Sequence, residues 1–277
     1  PYRIVTEFGK DFALSSDTFS LTCLPQKGQP LKILLTSDHQ LNRTNLNMEM
    51  VTRTVGQLDA VFFAGDLVDI PDRASEWFDQ DFGNSLFATM QGRGQVFSIS
   101  SAERSPGGEI LKNVPIFPVI GNHEVMGKYH PDVELEHQYG FPQPRQYAET
   151  RYEEQKAVIN PEDNSAIKRE WILNNSFNTV TYEEILSLPD DGPDGEKYYA
   201  IEFGDVFLVG LYVSRIWRPA GFDETIRGKY RESADSFDNP DQWGFGDFLF
   251  WDFKDGSDQH QWLEGVLQSE AYRSSPV

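Results

Sequence analysis

Val119-Ile120-Gly121-Asn122-His123-Glu124 is the stretch whose reading decides the fold. It closes the apolar run Ile116-Phe117-Pro118-Val119-Ile120, then gives a glycine, an amide, an imidazole and a carboxylate in succession. A near-continuous apolar run reads as a parallel strand buried on both faces. In open α/β sheets, ligands sit just past the carboxyl ends of such strands. Gly121 lets the backbone turn sharply there, so Asn122 and His123 can project into a crevice. Asn supplies a neutral oxygen donor, and His a nitrogen that binds metal or carries a proton. By itself the stretch is equally well read as a polar loop whose Asn and His satisfy backbone groups.

Two earlier stretches repeat the pattern. Leu31 to Leu35 is a short apolar strand that runs through Thr36 and Ser37 into Asp38-His39-Gln40. In an extended segment Asp38 and Gln40 point the same way and His39 points away. A polar turn with Asp38 capping the next helix is the alternative. Met48, Val51, Val55 and Leu58 then recur at helical spacing. Asp59-Ala60-Val61-Phe62-Phe63-Ala64 is a second buried strand, and it stops at Gly65-Asp66. Strand, helix and strand from Leu31 to Asp66 predict a right-handed βαβ unit with a parallel sheet. Two carboxylates at one sheet edge repel unless something positive lies between them.

The remaining chain carries less chemistry. Residues 1–30 read as an extended arm or hairpin, and 31–277 as one domain with an insertion around 141–195. Ala74 to Met90 has helical character inside an irregular stretch from 70 to 113. The insertion holds three polar helical segments, 148–158, 163–173 and 182–188. Two strands, 197–203 and 206–213, flank Gly204-Asp205, a strong hairpin signal. Residues 217–256 are rich in aromatics, Gly and Asp without a clear period, which predicts a long packed loop. Ser257 to Gln268 reads as a final helix with Trp262 and Val266 on its apolar face. His130 and His137 read as surface residues.

The formal charge of −20, from 44 acidic and 24 basic residues, argues against stable nucleic-acid binding, which needs a basic face. No run approaches the roughly 18 apolar residues of a membrane span. Cys23 is the only cysteine, so no internal disulfide or thiolate cluster can form, and one cysteine says little about compartment. The sequence begins at Pro1 rather than Met, so a targeting segment upstream would not be visible in it.

Three strands thus deliver Asp38-x-Gln40, Gly65-Asp66 and Gly121-Asn122-His123-Glu124 in order. This trio resembles the calcineurin-like metallophosphoesterase superfamily, whose pattern is Asp-x-His, then Gly-Asp-x-x-(Asp/Tyr), then Gly-Asn-His-(Asp/Glu). The resemblance runs from about Leu31 to Leu267. It implies an α/β fold, a four-layer αββα sandwich with mixed sheets, and a metal-dependent phosphoester hydrolase. Asp38 and Gln40 would bind a first metal, Asp66 would bridge two, and Asn122 would bind the second. His123 would be the catalytic residue, giving a proton to the leaving oxygen or a hydrogen bond to phosphate. The implied cofactors are two divalent ions, Mn, Fe, Zn or Mg with Mn favoured, and the implied substrate is a phosphorylated small molecule or nucleotide-type compound. The oligomeric state is not implied.

Two positions depart from that pattern. Gln40 stands where the family usually has His, and Asp69 closes the Gly-Asp-x-x-Asp motif. That pairing resembles the manganese-dependent ADP-ribose/CDP-alcohol diphosphatase branch rather than purple acid phosphatases, which carry Tyr at the position of Asp69. The family also supplies a later His and a Gly-His-x-His pair. This sequence has five His and no such pair. His260 falls inside the final helix beside residues that would pack it. The expectation is therefore a domain truncated at the C-terminus, binding at most one Mn²⁺ weakly. The alternative is a non-catalytic phosphate- or partner-binding module with a degenerate metal site.

Overall fold

The computed structural model describes residues 1–9, 12–20, 23–40, 44–79, 85–94, 105–126, 145–217 and 248–277. An exposed antiparallel pair, β1 (Val5–Phe8) and β2 (Phe12–Ser15), opens the chain. Three parallel strands follow in spatial order: β3 (Ile33–Thr36), β4 (Ala60–Phe63) and β5 (Ile116–Pro118). Helix α1 (Asn45–Thr54) crosses from β3 to β4, as its apolar spacing predicts. The Asp38 capping alternative does not hold, because the residue at the helix N-cap is Thr44. The helix stops at Gly56, whose φ of +76° reverses the chain at no steric cost.

Period-two alternation sorts the three strands onto two faces. Leu34, Val61, Phe63 and Ile116 face the main core, which holds Met48 and Val51 of α1. Ile33, Ala60, Phe62 and Phe117 face the other way, onto Tyr199, Ile201, Phe203 and Leu208. Those residues belong to an antiparallel hairpin, β6 (Tyr199–Phe203) and β7 (Val206–Gly210), turned by Gly204 at φ +63°. The fold is therefore mixed α/β, with one three-stranded parallel sheet and, among the described residues, three antiparallel pairs.

Several expected boundaries shift. The helical character of 74–90 resolves into α2 (Ala74–Phe78) and α3 (Leu86–Met90), each one turn long. Within 141–195 the helices are α4 (Arg145–Ile159), α5 (Ser165–Asn174) and α6 (Val180–Ile185). Helices α4 and α5 pack on each other through Ala148, Tyr152 and Ile172. Helix α6 joins the main core: Tyr182 is fully buried and its hydroxyl donates to the Pro118 carbonyl at 3.0 Å. Tyr199 donates to the same carbonyl at 2.7 Å. The two phenols thus fix the end of β5.

The reading of 217–256 as loop fails at Trp217 and at 248–250 and holds at 251–256. β8 (Ser214–Trp217) pairs with β9 (Phe248–Phe250), and residues 218–247 lie outside the described residues. A ladder between partners so far apart in sequence leaves no local period to read. Helix α7 (Asp258–Gln268) and the short α8 (Glu270–Arg273) close the chain. Trp262 of α7 packs edge-on against Tyr198 at 5.0 Å. Gln259, which no sequence pattern marks, is fully buried and bonds both the N–H and the C=O of Tyr212 at 2.9 Å. No helix among the described residues is long and apolar enough to cross a membrane.

Candidate metal centre

Register places three strand ends at one sheet edge. Thr36 pairs with Phe63, and Phe63 with Pro118, so the chain leaves β3, β4 and β5 side by side. The turns that follow carry Asp38, Asp66 and Asn122. Asp38 and Asp66 both adopt left-handed backbone, at φ 56° and 60°. Aspartate tolerates that region better than most residues, yet it remains strained and concentrates at functional sites.

Asp66 stands at the middle of the three turns. Its carbonyl accepts the N–H of His39 at 2.9 Å and of Gln40 at 3.3 Å, while Asp38 donates to the Gly65 carbonyl at 3.2 Å. Its carboxylate accepts the His123 N–H at 2.9 Å on Oδ1 and the Gln40 amide at 3.4 Å on Oδ2. The Asn122 N–H also bears on that carboxylate, as does the charge of Asp38. Burial is the largest influence and raises the Asp66 pKa; the His123 N–H and ring charge oppose it.

Glu124 fastens the third turn to the second. Its Oε2 accepts from Gly121 at 2.7 Å and Asp66 at 2.9 Å, and its Oε1 from Leu67 at 2.7 Å. Burial pushes this carboxyl up to about 8, and the nearby Asp66 adds to the rise against those three N–H donors. The clamp works because two glycines let the turns touch. A methyl group on Gly65 would lie 2.7 Å from the Gly121 nitrogen, and one on Gly121 would lie 2.7 Å from the Asp66 nitrogen and strike its Oδ1. No role for Glu124 follows from the sequence reading. Its spacing three residues after Gly121 is the available signal, since a carboxylate there can return to the turn's first N–H.

His123 and His39 are held differently. The His123 Nδ1 lies 2.8 Å from the Asp69 carbonyl and 3.4 Å from its carboxylate. A carbonyl only accepts, so Nδ1 carries the hydrogen and Nε2 is the atom left to act on a ligand. His39 turns into the core, edge-on to Phe63 at 4.7 Å, with Nε2 3.0 Å from the Thr36 hydroxyl. Burial drives its pKa down to about 4, against the pull of Asp38.

The structure thus gathers Asp38, Gln40, Asn122 and His123 around Asp66. The side-chain oxygen of Gln40 is buried and has no hydrogen-bond partner among the described residues. A buried carbonyl oxygen without a donor is costly unless a cation completes it. Asp38, Gln40, Asp66 and Asn122 carry carboxylate and amide oxygens, the donor type that hard divalent cations take. Among the described residues no cluster of three His, Cys, Asp or Glu side chains could hold a metal, so such a site depends on the amide oxygens. His260 is remote in sequence and packs beside Phe253 at 5.9 Å, with Nδ1 3.7 Å from Asp255. His130 and His137 lie outside the described residues.

No family model matches the sequence, and no curated protein does. Among solved structures, a purple acid phosphatase isolated from yellow lupin (Lupinus luteus) seeds superposes weakly, with a TM-score of 0.45 at 12% identity. The overlap covers 93% of this chain and 31% of that one.

Proposed function

We propose that the chain is a metal-dependent phosphoester hydrolase whose centre lies at the carboxyl edge of β3, β4 and β5. The observation that carries the reading is the unpartnered, buried oxygen of Gln40, whose amide nitrogen donates to the carboxylate of Asp66, itself held like Asp38 in left-handed backbone. Asp38, Gln40 and Asp66 would hold one divalent ion, with Asp66 shared and Asn122 serving a second. When bound, such ions lower the pKa of water and act as Lewis acids on a phosphoryl oxygen. The chain's own part is to place charge and protons. Asp66 is fixed by three turns before any ligand arrives, which limits reorganisation during reaction. His123, its Nδ1–H held by Asp69, would act in its doubly protonated form, giving the Nε2 proton to the leaving oxygen and remaining as the neutral Nδ1–H imidazole. The four-layer sandwich belongs to the same proposal, supported by the contact of the parallel sheet with β6 and β7.

Calorimetric titration of the chelator-stripped protein with Mn²⁺ tests the metal reading. Saturable binding is expected in the wild type and not in Asp66→Asn, with inorganic phosphate tightening the Mn²⁺ isotherm. Absence of binding in both proteins, or equal binding in both, overturns it. Turnover by the full-length protein is then measured in Mn²⁺ on phosphomonoesters, phosphodiesters and nucleoside diphosphate compounds. Coupled metal and phosphate binding without turnover would favour a binding module.

A further inference from the structure

A cavity of ≈ 580 Å³ opens between α5, the turn at 176–180 and the Tyr212–Trp251 ring pair. That volume falls in the roughly 300–1,000 Å³ range of small-molecule pockets. Phe177, Ile172 and Trp251 give it apolar walls. Tyr212 and Trp251 lie 4.8 Å apart, and Gln259 holds the backbone of Tyr212 in place.

Most polar groups of the wall are engaged by the fold itself. Asn178 donates to the Leu173 and Ser176 carbonyls at 3.1 and 3.2 Å, and Ser176 to Ile172 at 2.8 Å. Lys197 pairs with Glu183 at 3.2 Å, and Arg145 with Glu149 at 2.9 Å. Arg169 lines the mouth and makes no hydrogen bond or ion pair among the described residues. Three carboxylates line it as well: Glu183 is paired with Lys197, Asp194 accepts the Tyr198 hydroxyl at 2.9 Å, and Glu170 follows Arg169 about 100° further round the helix. A guanidinium beside aromatic walls offers paired donors to an oxyanion and a flat apolar surface to a ring.

We propose that this cavity binds a small molecule composed of a planar ring and an anionic group, the ring against Phe177 and Trp251 and the anion at Arg169. The cavity is joined to the candidate metal centre by the Met126–Asn178 backbone pair, but the inference does not depend on metal. It is tested in EDTA by calorimetry, with adenosine 5′-monophosphate as probe and adenosine and ribose 5-phosphate as its two halves.

The monophosphate should bind saturably, and each half at least about ten-fold more weakly: adenosine for want of the charge-assisted contact, ribose 5-phosphate for want of the buried ring. Arg169→Ala, at an exposed helix position, should retain its circular dichroism and bind the monophosphate no better than adenosine. Trp251→Phe should weaken adenosine and leave ribose 5-phosphate unchanged. Equal affinity for ribose 5-phosphate and the monophosphate overturns the ring wall. Unchanged affinity in Arg169→Ala overturns the anion contact. No saturable binding up to about 5 mM, or tighter binding of the cationic ring compound tryptamine, overturns the proposal as a whole.

Discussion

The carboxylate of Glu124 accepts the backbone N–H of Asp66, a residue 58 positions earlier, at 2.9 Å in a buried setting. The bond is one of three that this carboxylate makes to main-chain donors of two different turns. It explains how Asp66 keeps a left-handed backbone at the sheet edge: the strain is opposed by contacts that only this conformation can make.

Replacing Glu124 by Gln keeps the shape but puts an NH₂ group where one oxygen accepted. At least one buried N–H then faces another donor. Above about pH 8, where burial no longer keeps the Glu124 carboxyl protonated, the expected loss is about 2–3 kcal/mol of unfolding free energy, the cost of an unsatisfied group in a charge-assisted network. Urea denaturation measures it, and a change below about 0.5 kcal/mol would show that the clamp does not stabilise the edge.

Gly65 and Gly195 both sit at positive φ, at +88° and +67°, yet their surroundings differ. A Cβ on Gly195 meets nothing within 4 Å, whereas one on Gly65 meets Gly121 at 2.7 Å. Gly195→Ala should therefore cost about 1–2 kcal/mol, the left-handed penalty alone. Gly65→Ala should cost more than about 3 kcal/mol or prevent soluble expression. Equal melting temperatures for the two variants would refute the close approach of the turns.

His39 makes the metal-free protein acid-sensitive. Its folded pKa is depressed from 6.5 to about 4, so the unfolded chain takes up the proton first. Stability is then complete above pH 6.5 and falls as the pH drops toward 4, by about 3 kcal/mol at most. Carboxylates contribute their own slope at the lower end, so the informative quantity is a difference. His39→Gln, which can still bond Thr36, should show a shallower decline from pH 6.5 to 4 in EDTA. Parallel curves would place the His39 ring in contact with solvent.

His123→Ala separates proton delivery from metal binding. In the full-length protein metal content by elemental analysis should stay near that of the wild type. Turnover should fall by about 10²–10⁴, the usual worth of general acid–base catalysis. Metal and activity lost together would put the imidazole among the ligands.

The sequence alone determined the three parallel strands, the helix between the first two and the glycine-marked turns, because these are written in local periods. Apolar runs bounded by Gly65 and Gly121 say where strands stop, and Met48 and Val51 say which face of α1 is buried, while Val55, at the same spacing, falls past the helix end and is exposed. The Gly204-Asp205 turn announces the β6–β7 hairpin for the same reason. Tertiary structure decided what those turns do to one another. That Asp66 receives His123, that Glu124 returns to Asp66 and Leu67, and that the Gln40 amide donates to Asp66 while its oxygen is buried depend on strands separated by dozens of residues. So do the β8–β9 pairing and the grip of Gln259 on Tyr212. A backbone N–H has the same chemistry whatever partner it finds, so no local pattern names that partner; the packing of the sheet edge does.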